Sequence, residues 1–182
     1  MFRAWPKIPR LENEVYHITE KIDGTNACIL IRGYDPVEDG MKAMYIDPDY
    51  QYAVYAQSRT RLITPEDDNF GFAKWVKDNA EQLISDLGVG YHYGEWWGKG
   101  INRGYGLEER RFSLFNPTKH SDVCYHVPEI AAVSAEALIE TIQDEIEQLK
   151  MGSYAAPGYM RPEGLVIYAE KAKTYWKVII DK

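Results

Sequence analysis

Short segments rich in β-branched and aromatic residues recur along the whole chain, and Gly, Pro, Asn and Asp separate them. Such segments are typical of β-strands. They do not alternate regularly with helical segments, so the sequence argues against a doubly wound parallel sheet and favours an α+β fold of largely antiparallel sheets with flanking helices. The predicted strands span 15–21, 27–32, 43–46, 52–57, 91–96, 112–115, 165–169 and 175–180.

Two segments carry apolar residues at helical spacing. The first spans 72–87, and Gly88 follows it as a stop signal. The second spans about 134–151, where Ser134 predicts the N-cap and Gly152 follows the end. The apolar positions are Phe72, Val76, Ala80, Leu83 and Leu87 in the first segment and Leu138, Ile142, Ile146 and Leu149 in the second.

The length and composition predict one cytoplasmic domain that spans residues 1–182. A chain of 182 residues can bury a real core without a second domain. No apolar run approaches the roughly 20 residues of a spanning helix, and the N-terminus lacks the apolar region of a signal peptide. Cys28 and Cys124 are the two cysteines and form no CxxC pair, which excludes a disulfide scaffold and a cysteine-rich zinc site.

The charge is unevenly distributed along the chain. The net charge of −7 argues against nucleic-acid binding by bulk electrostatics. Much of this excess lies in segment 134–150, whereas segment 99–120 is basic. A polyanionic substrate can therefore still dock on one face of the molecule.

Segment 20–26 (EKIDGTN) lies between two predicted strands. Asp23 and Gly24 predict a tight turn, because glycine tolerates positive φ, and this turn puts Lys21 at a strand end. A lysine is a nucleophile only when uncharged, so such a role needs desolvation or a neighbouring cation. The same pattern also fits an ordinary hairpin with a surface lysine, and this segment alone leaves both interpretations open.

Further segments with chemically useful side chains follow in order. Glu95 and Glu163 each stand beside a glycine at a strand end, Phe115 offers an aromatic ring, and Lys177 lies in the last predicted strand. These segments are 58–65 (SRTRLITP), 93–98 (YGEWWG), 111–116 (RFSLFN), 162–168 (PEGLVIY) and 173–180 (KTYWKVII).

In this order the segments resemble the covalent nucleotidyltransferase superfamily of polynucleotide ligases and capping enzymes, most closely its phage-type RNA ligase 2 branch. The resemblance covers about residues 15–180 and implies a ligase adenylylation domain. It implies an ATP-dependent RNA ligase of RNA repair, in which a lysyl-AMP intermediate passes AMP to an RNA 5′-phosphate that is then sealed to a 3′-OH. ATP, Mg²⁺ and RNA with these ends are the implied cofactors and partner.

The resemblance implies catalytic roles for four residues around the phosphates. Lys21 would attack the α-phosphorus of ATP and expel pyrophosphate. Lys177 would hold the α-phosphate and, as a nearby cation, favour the neutral form of Lys21. Asp23 and Glu163 would surround a hydrated Mg²⁺, an ion that prefers oxygen ligands and keeps its waters. Catalysis of this kind depends mostly on positioning and charge neutralisation.

The resemblance also implies a set of residues that bind the nucleoside. Glu95 would accept hydrogen bonds from the ribose hydroxyls, and Phe115 would stack on the purine, although an aromatic residue in a strand is equally expected in the core. Arg59 and Asn26 would face the sugar-phosphate, and Glu20 would lie near the edge of the base.

The sequence departs from the family pattern at three places. Tyr175 stands where many relatives have the first of two lysines, so Lys177 is alone unless Lys171 or Lys173 reaches the phosphate. Asn116 stands where an acid is common. The sequence ends directly after the last segment, with no OB-fold or C-terminal helical domain. Self-adenylylation is therefore predicted more directly than sealing, and a helper protein that docks RNA is one possible partner.

Other functions stay open from the sequence. One is a small DNA ligase or a capping-type guanylyltransferase, against which the absent OB-fold and the Thr25-Asn26 extension argue. Another is a nucleotide- or RNA-binding module without turnover, against which the retention of Lys21, Glu95 and Glu163 argues. Labelling by ATP or GTP and the sealing of RNA or DNA separate these functions.

Overall fold

The structure is a computed structural model that describes residues 8, 10–38, 43–49 and 51–180. It is a mixed α+β fold with mostly antiparallel strands, as the sequence predicts. The strands are β1 (Tyr16–Lys21), β2 (Thr25–Gly33), β3 (Tyr45–Ile46), β4 (Tyr52–Ser58), β5 (Leu62–Ile63), β6 (Gly90–Gly98), β7 (Arg110–Leu114), β8 (Tyr125–His126), β9 (Glu129–Val133), β10 (Gly164–Ala169) and β11 (Thr174–Ile179). The helices are α1 (Phe72–Asp78), α2 (Ala80–Leu87) and α3 (Leu138–Lys150).

The chain divides into two compact units. Unit 1 combines residues 1–22 with 128–182, and unit 2 spans Asp23–Val127. The boundary falls between β1 and β2, which pair with different strands, so segment 20–26 does not close a hairpin.

Unit 1 contains a four-stranded antiparallel sheet in the order β11-β10-β1-β9. Side chains of β1 alternate between a buried face and a more open face, as the twofold repeat of a strand requires. Helix α3 covers the buried face with its apolar stripe, and its acidic side remains outside. The buried core consists of Tyr16, Ile18, Leu149, Leu165, Ile167 and Ala169.

Unit 2 is built on a larger sheet in the order β3-β4-β2-β6-β7-β8, with β5 added beside β4. Only the pairing of β7 with β8 is parallel among the described residues. Helices α1 and α2 bury their apolar residues against one face of this sheet. The aromatic centre of the core is formed by Phe72, Trp75, Trp96 and Phe112, whose ring centroids lie 5.2–5.9 Å apart.

The helices differ from the predicted ones in two ways. The single helix expected over 72–87 is interrupted at Asn79, whose side chain donates a hydrogen bond to the carbonyl of Trp75 at 2.8 Å. The Trp75 carbonyl also accepts the Asn79 backbone N–H at 3.1 Å, and the Asn79 backbone itself leaves the helical region, with φ of −113° and ψ of 11°. The second helix begins at Leu138 rather than near Ser134, because a turn over 135–137 precedes it and Ala137 is the N-cap.

The strand prediction located the longer strands and missed three. The strands β5, β8 and β9 were not predicted, because two of them have only two residues and β9 has the weakly patterned sequence EIAAV. Within the part of the chain that the structure describes, no helix has the length and apolar character that crossing a membrane requires.

Candidate active site

Strands β1 and β10 place the predicted nucleophile beside one of the predicted carboxylates. Lys21 is the last residue of β1 and pairs with Gly164 at the start of β10. The Lys21 Nζ donates a hydrogen bond to Glu163 Oε2 at 2.7 Å. The two side chains are 24% and 16% exposed, so the ion pair is partly shielded from water and still accessible. The lysine at this strand end is therefore not an isolated surface residue.

Gly164 is required by close packing within the sheet of unit 1. A Cβ at this position would lie 1.9 Å from the carbonyl oxygen of Val178 in β11, and the residue has a φ of +154°. Both features exclude a side chain here. The glycine of the Glu-Gly pattern thus allows β11 to approach β10 directly after Glu163.

Lys177 lies on the same face of the unit 1 sheet as Lys21. Thr19, Val166 and Lys177 form one row across β1, β10 and β11, and Lys21 is two residues from Thr19. Side chains at i and i+2 share a face, so the two lysines point to one side with β10 between them. Their Cα atoms are separated by about 10 Å across the strands and about 7 Å along them.

The two lysines just before Tyr175 in sequence, Lys171 and Lys173, contact other groups of unit 1. The amine of Lys171 donates a hydrogen bond to the carbonyl of Asn13. Lys173 instead extends over the ring of Tyr168, 5.8 Å from its centroid. Tyr168 stacks on Tyr175, the residue that departs from the family pattern.

The Glu20 side chain is buried in unit 1, and both of its carboxylate oxygens have hydrogen-bond donors. Its carboxylate is buried and accepts hydrogen bonds from Ser153 Oγ at 2.6 Å and from the Ala155 backbone N–H at 2.8 Å. Burial raises the pKa of Glu20, although these two hydrogen bonds oppose the rise. The carboxylate holds the 153–156 segment in unit 1, and its contact with the base edge stays a prediction.

In unit 2, Glu95 lies in β6 directly opposite Asn26 of β2. It is only 8% exposed. Its Oε1 accepts a hydrogen bond from the Gly24 backbone N–H at 3.1 Å, and its Oε2 accepts one from Asn26 Nδ2 at 3.3 Å. The carboxylate is therefore held in one orientation by donors on both oxygens.

Gly24 is explained by close approach to β6 and not by its φ. It is absent from the positive-φ glycines, which corrects the reason given for it from the sequence. A Cβ at Gly24 would lie 2.5 Å from the Trp96 carbonyl oxygen and 2.7 Å from the Trp97 Cβ. Trp96 and Trp97 are themselves buried. Gly24 thus packs directly against the backbone of β6.

The loop after β6 holds Asp23 through side chains that the sequence reasoning missed. Arg103 Nε donates to Asp23 Oδ2 at 3.1 Å, and Asn102 Nδ2 donates to Asp23 Oδ1 at 3.0 Å and to the Gly24 carbonyl at 2.7 Å. The buried Tyr105 hydroxyl accepts the Asp23 backbone N–H at 2.9 Å. Asn102 and Tyr105 have positive φ in this glycine-rich loop, and no sequence motif marks the side chains that contact Asp23.

Two predicted nucleoside residues lie at strand ends of unit 2. Arg59 follows β4 and is exposed. Phe115 follows β7 and is 43% exposed, so it is not an ordinary core residue. Its backbone N–H donates to the Tyr93 carbonyl, which continues the pairing of β7 with β6. Asn116 accepts hydrogen bonds from both the backbone and the hydroxyl of Thr118, so it stabilises the turn after β7.

The two carboxylates predicted to surround Mg²⁺ each have a cationic partner in their own unit. Among the residues that the structure describes, no group of three or more His, Cys, Asp or Glu side chains is placed to hold a metal ion. Glu163 is paired with Lys21, and Asp23 is paired with Arg103. Carboxylates that are already paired with cations fit an ion held through its water shell better than one that they would ligate directly.

Comparison with known proteins identifies the family. A sequence model of the RNA ligase family matches residues 14–179, which is nearly the whole chain. This chain belongs to the RNA ligase family. The resemblance found from the ordered segments is thereby confirmed at the level of the family. No curated protein gives a significant sequence match.

Solved structures of an RNA ligase from Naegleria gruberi share the fold of this family member. One variant with ATP and Mn matches with a TM-score of 0.58 and 16% identity, over 92% of this chain and 50% of that chain. Another variant with AMP and Mn matches with a TM-score of 0.57 and 17% identity, again over 92% and 50%. The chain therefore spans about half the length of these ligases.

Proposed function

We propose that this chain is an ATP-dependent RNA ligase that acts through a covalent lysyl-AMP on Lys21. The observation that carries the proposal is the contact of Lys21 Nζ with Glu163 Oε2 at 2.7 Å, at the end of a strand paired on both sides. Membership of the RNA ligase family supports the choice of chemistry and of RNA as the substrate.

The contact suggests how Lys21 becomes a nucleophile. An ammonium group has no lone pair, so Lys21 must lose a proton before its nitrogen can attack phosphorus. Glu163 is within hydrogen-bond reach and can accept that proton. The new P–N bond to the α-phosphorus forms as the bond to pyrophosphate breaks, and the nitrogen releases a further proton.

Lys177 is suited to hold the phosphates during this step. It is exposed and lies on the same sheet face as Lys21. Negative charge spreads over the phosphoryl oxygens in the transition state, so a fixed cation lowers the barrier. We assign it to the α-phosphate, as the resemblance implies.

The unit 2 residues are assigned to the nucleoside on the same basis. Glu95 would accept hydrogen bonds from the ribose hydroxyls, and its fixed orientation supports such a role. Phe115 would stack on the purine, which its exposure permits. Asn26 and Arg59 would face the sugar-phosphate, and Glu20 the base edge.

A divalent cation is part of the proposal only as an aid to phosphate binding. Variants of the Naegleria gruberi RNA ligase, which shares the fold, were solved with ATP and Mn or with AMP and Mn. When bound through water, Mg²⁺ would neutralise phosphate charge near Glu163 and Asp23, the carboxylates that the sequence singled out. ATP and Mg²⁺ are the proposed cofactors.

The later steps follow from the same chemistry. AMP would pass from Lys21 to the 5′-phosphate of an RNA strand, and a 3′-OH would then attack that phosphate and release AMP. Because the chain spans about half of the matched ligases, sealing is proposed separately from self-adenylylation. The experiment tests the two activities in turn.

The first test is covalent labelling. The purified chain is incubated with α-labelled ATP and a divalent cation, and the denatured protein is examined for acid-labile label. We expect label on the wild type and none on Lys21→Ala, whereas Lys74→Ala, which removes an exposed helix lysine, should label normally. Intact-mass measurement should show one adenylyl group. An unlabelled wild type, or label that persists in Lys21→Ala, would contradict the proposal.

The second test identifies the substrates. Labelling by ATP is compared with labelling by GTP, and sealing of nicked RNA is compared with sealing of nicked DNA. Preference for GTP would indicate a capping-type enzyme, and preference for nicked DNA a DNA ligase. ATP binding without pyrophosphate release would indicate a binding module.

A further inference from the structure

Two tyrosines form an exposed stacked pair on the face of the unit 1 sheet that carries Lys21 and Lys177. Tyr168 of β10 and Tyr175 of β11 are cross-strand partners, and their ring centroids are 4.5 Å apart with an angle of 27° between the planes. Tyr175 is 67% exposed, and residue 168 is half-buried. Tyr168 and Tyr175 are here called the tyrosine pair.

Positive charge flanks the tyrosine pair on two sides. Lys173 Nζ lies 5.8 Å from the Tyr168 centroid. Lys177 is two residues beyond Tyr175 on the same face. Three features therefore follow one another along the strands of this face: the tyrosine pair, then Lys177, then the proposed nucleophile Lys21. The distance along the strands from the first to the last is about 13 Å.

The opposite side of the pair carries acidic groups. His17 of β1 is the cross-strand partner of Tyr168, and their ring centroids are 6.2 Å apart. The two His17 ring nitrogens contact Glu129 at 3.0 Å and Glu170 at 3.2 Å. A polyanion bound to this face would therefore extend from the tyrosine pair towards Lys177, and Glu129 and Glu170 would repel it near His17.

We propose that the tyrosine pair binds a nucleobase of the RNA substrate by stacking, with Lys173 and Lys177 contacting the adjacent backbone phosphates. This inference rests on the proposed function, because it assumes that RNA is the substrate. Every base has a π-face, so exposed aromatic rings beside cations bind single strands with little preference for sequence. At position 175, where many relatives have a lysine, this chain would thereby contact a base instead of a phosphate.

The chemistry of the pair favours RNA over an anionic ligand without bases. Partial burial and the neighbouring Tyr168 raise the pKa of Tyr175, although Lys173 opposes the rise. A phenol of ordinary pKa, about 10, is already neutral at pH 7, so Tyr175 offers a flat ring rather than a charge. A ligand that consists only of phosphate would gain nothing from the rings.

The direct test measures the binding of a fluorescent single-stranded RNA with a 5′-phosphate, by anisotropy. We expect Tyr175→Ala to weaken binding roughly 5- to 150-fold, the range of one lost base stack. Tyr175→Phe keeps the ring and should bind like the wild type. Tyr91→Ala is the matched control, because Tyr91 is 57% exposed and stacks on Tyr93 at 6.1 Å in unit 2.

Abasic RNA and salt separate stacking from charge. On an abasic RNA of equal length, the wild type should lose its advantage over Tyr175→Ala. The dependence of affinity on salt should be the same for both proteins, since no phosphate contact is removed. Lys173→Met should instead lower the salt slope by about one. Tyr175→Lys should exchange base dependence for a steeper salt slope.

The outcomes distinguish this inference from the proposed function. Unchanged RNA affinity in Tyr175→Ala, an equal loss in Tyr91→Ala, or wild-type binding indifferent to abasic sites would overturn the role of the tyrosine pair. Labelling with ATP is measured separately, and we expect Tyr175→Ala to retain it. A wild type that binds RNA through Tyr175 and never forms lysyl-AMP would contradict the proposed function and leave the stacking role supported.

Discussion

Glu163 in unit 1 and Glu95 in unit 2 have contrasting partners. Glu163 contacts the ammonium group of Lys21, a partner that must lose a proton in the proposed reaction. Glu95 accepts hydrogen bonds from the Gly24 backbone amide and from the Asn26 side chain, and both donors are neutral amides that do not titrate. Two glutamates beside glycines in the sequence are thus suited to different tasks, one to proton transfer and one to fixed hydrogen bonding.

The largest effect on activity is expected from substitution of Glu163, and substitution of Glu95 should act differently. Glu163→Gln removes the proton acceptor, so the rate of self-adenylylation at saturating ATP should fall by about 10²–10⁴. Glu95→Gln keeps an oxygen for the Gly24 N–H and should mainly raise the KM for ATP. Rates of labelling against ATP concentration measure both. Equal losses of kcat in the two variants would remove the distinction.

A second prediction compares the close-packed glycines. Gly164→Ala places a methyl group against the Val178 carbonyl and should lower the free energy of unfolding by about 3 kcal/mol or more. Gly24→Ala should cost about 1–3 kcal/mol, since it overpacks the turn against β6. Gly106→Ala is the control, because it has a φ of +68° and no atom within 4 Å, and should cost about 1 kcal/mol. Urea unfolding tests the order, which a cost for Gly106→Ala equal to that of Gly164→Ala would contradict.

A third prediction concerns Arg103 in the loop after β6. Arg103→Met leaves Asp23 without its cation and should slow self-adenylylation roughly 10- to 100-fold, because a partly buried charge loses its partner. Arg61→Met breaks an exposed Arg–Asp pair in the same unit and should have little effect. Circular dichroism checks that both variants are folded. Normal labelling by Arg103→Met would show that Asp23 needs no such support.

The smallest expected effect is a pH dependence in unit 1. Hydrogen bonds to Glu129 and Glu170 raise the pKa of His17 above its usual value. Only the doubly protonated ring donates to both carboxylates, so this stabilisation is complete below the unfolded-state pKa of about 6.5 and is lost as pH rises through the folded-state pKa.

The contribution of His17 should be below about 1 kcal/mol, because water and salt screen its exposed partners. The stability difference between the wild type and His17→Gln should therefore shrink from pH 5.5 to pH 8. Glu147→Gln, which removes a pair with Lys150, is the control and should show no such change. Thermal unfolding at both pH values tests this, and a difference that grows with pH would reverse the assigned sign.

The sequence predicted the fold class and the long strands because these depend on repeated local patterns. Residues 16–21 alternate between buried and half-buried positions over the whole strand, so β1 was predictable to within one residue. The interruption at Asn79 was not, because the apolar pattern of residues 72–87 continues across the residue whose backbone leaves the helix. β9 was missed for a related reason, since its strand conformation depends on pairing with β1.

The candidate site was predictable where residues belong to the ordered motifs and not where a contributing residue carries no motif. The family resemblance implied that Lys21 and Glu163 serve one nucleotide pocket, and the structure brings these two residues, 142 positions apart, into contact. Arg103 and Tyr105 carry no motif of their own, and only the fold brings them to Asp23. The use of Glu20 to hold Ser153 was likewise invisible, because a buried carboxylate and an exposed one look identical in sequence.

The interior position of β1 in its sheet has a consequence for how the nucleophile is kept in place. Backbone amides that are bonded between two neighbouring strands exchange with deuterium only when the sheet opens. β1 is bonded to β9 on one side and β10 on the other. A peptide covering residues 16–21 should thus take up deuterium among the slowest of unit 1, so that the reactive amine is anchored on one of the two interior strands of its sheet.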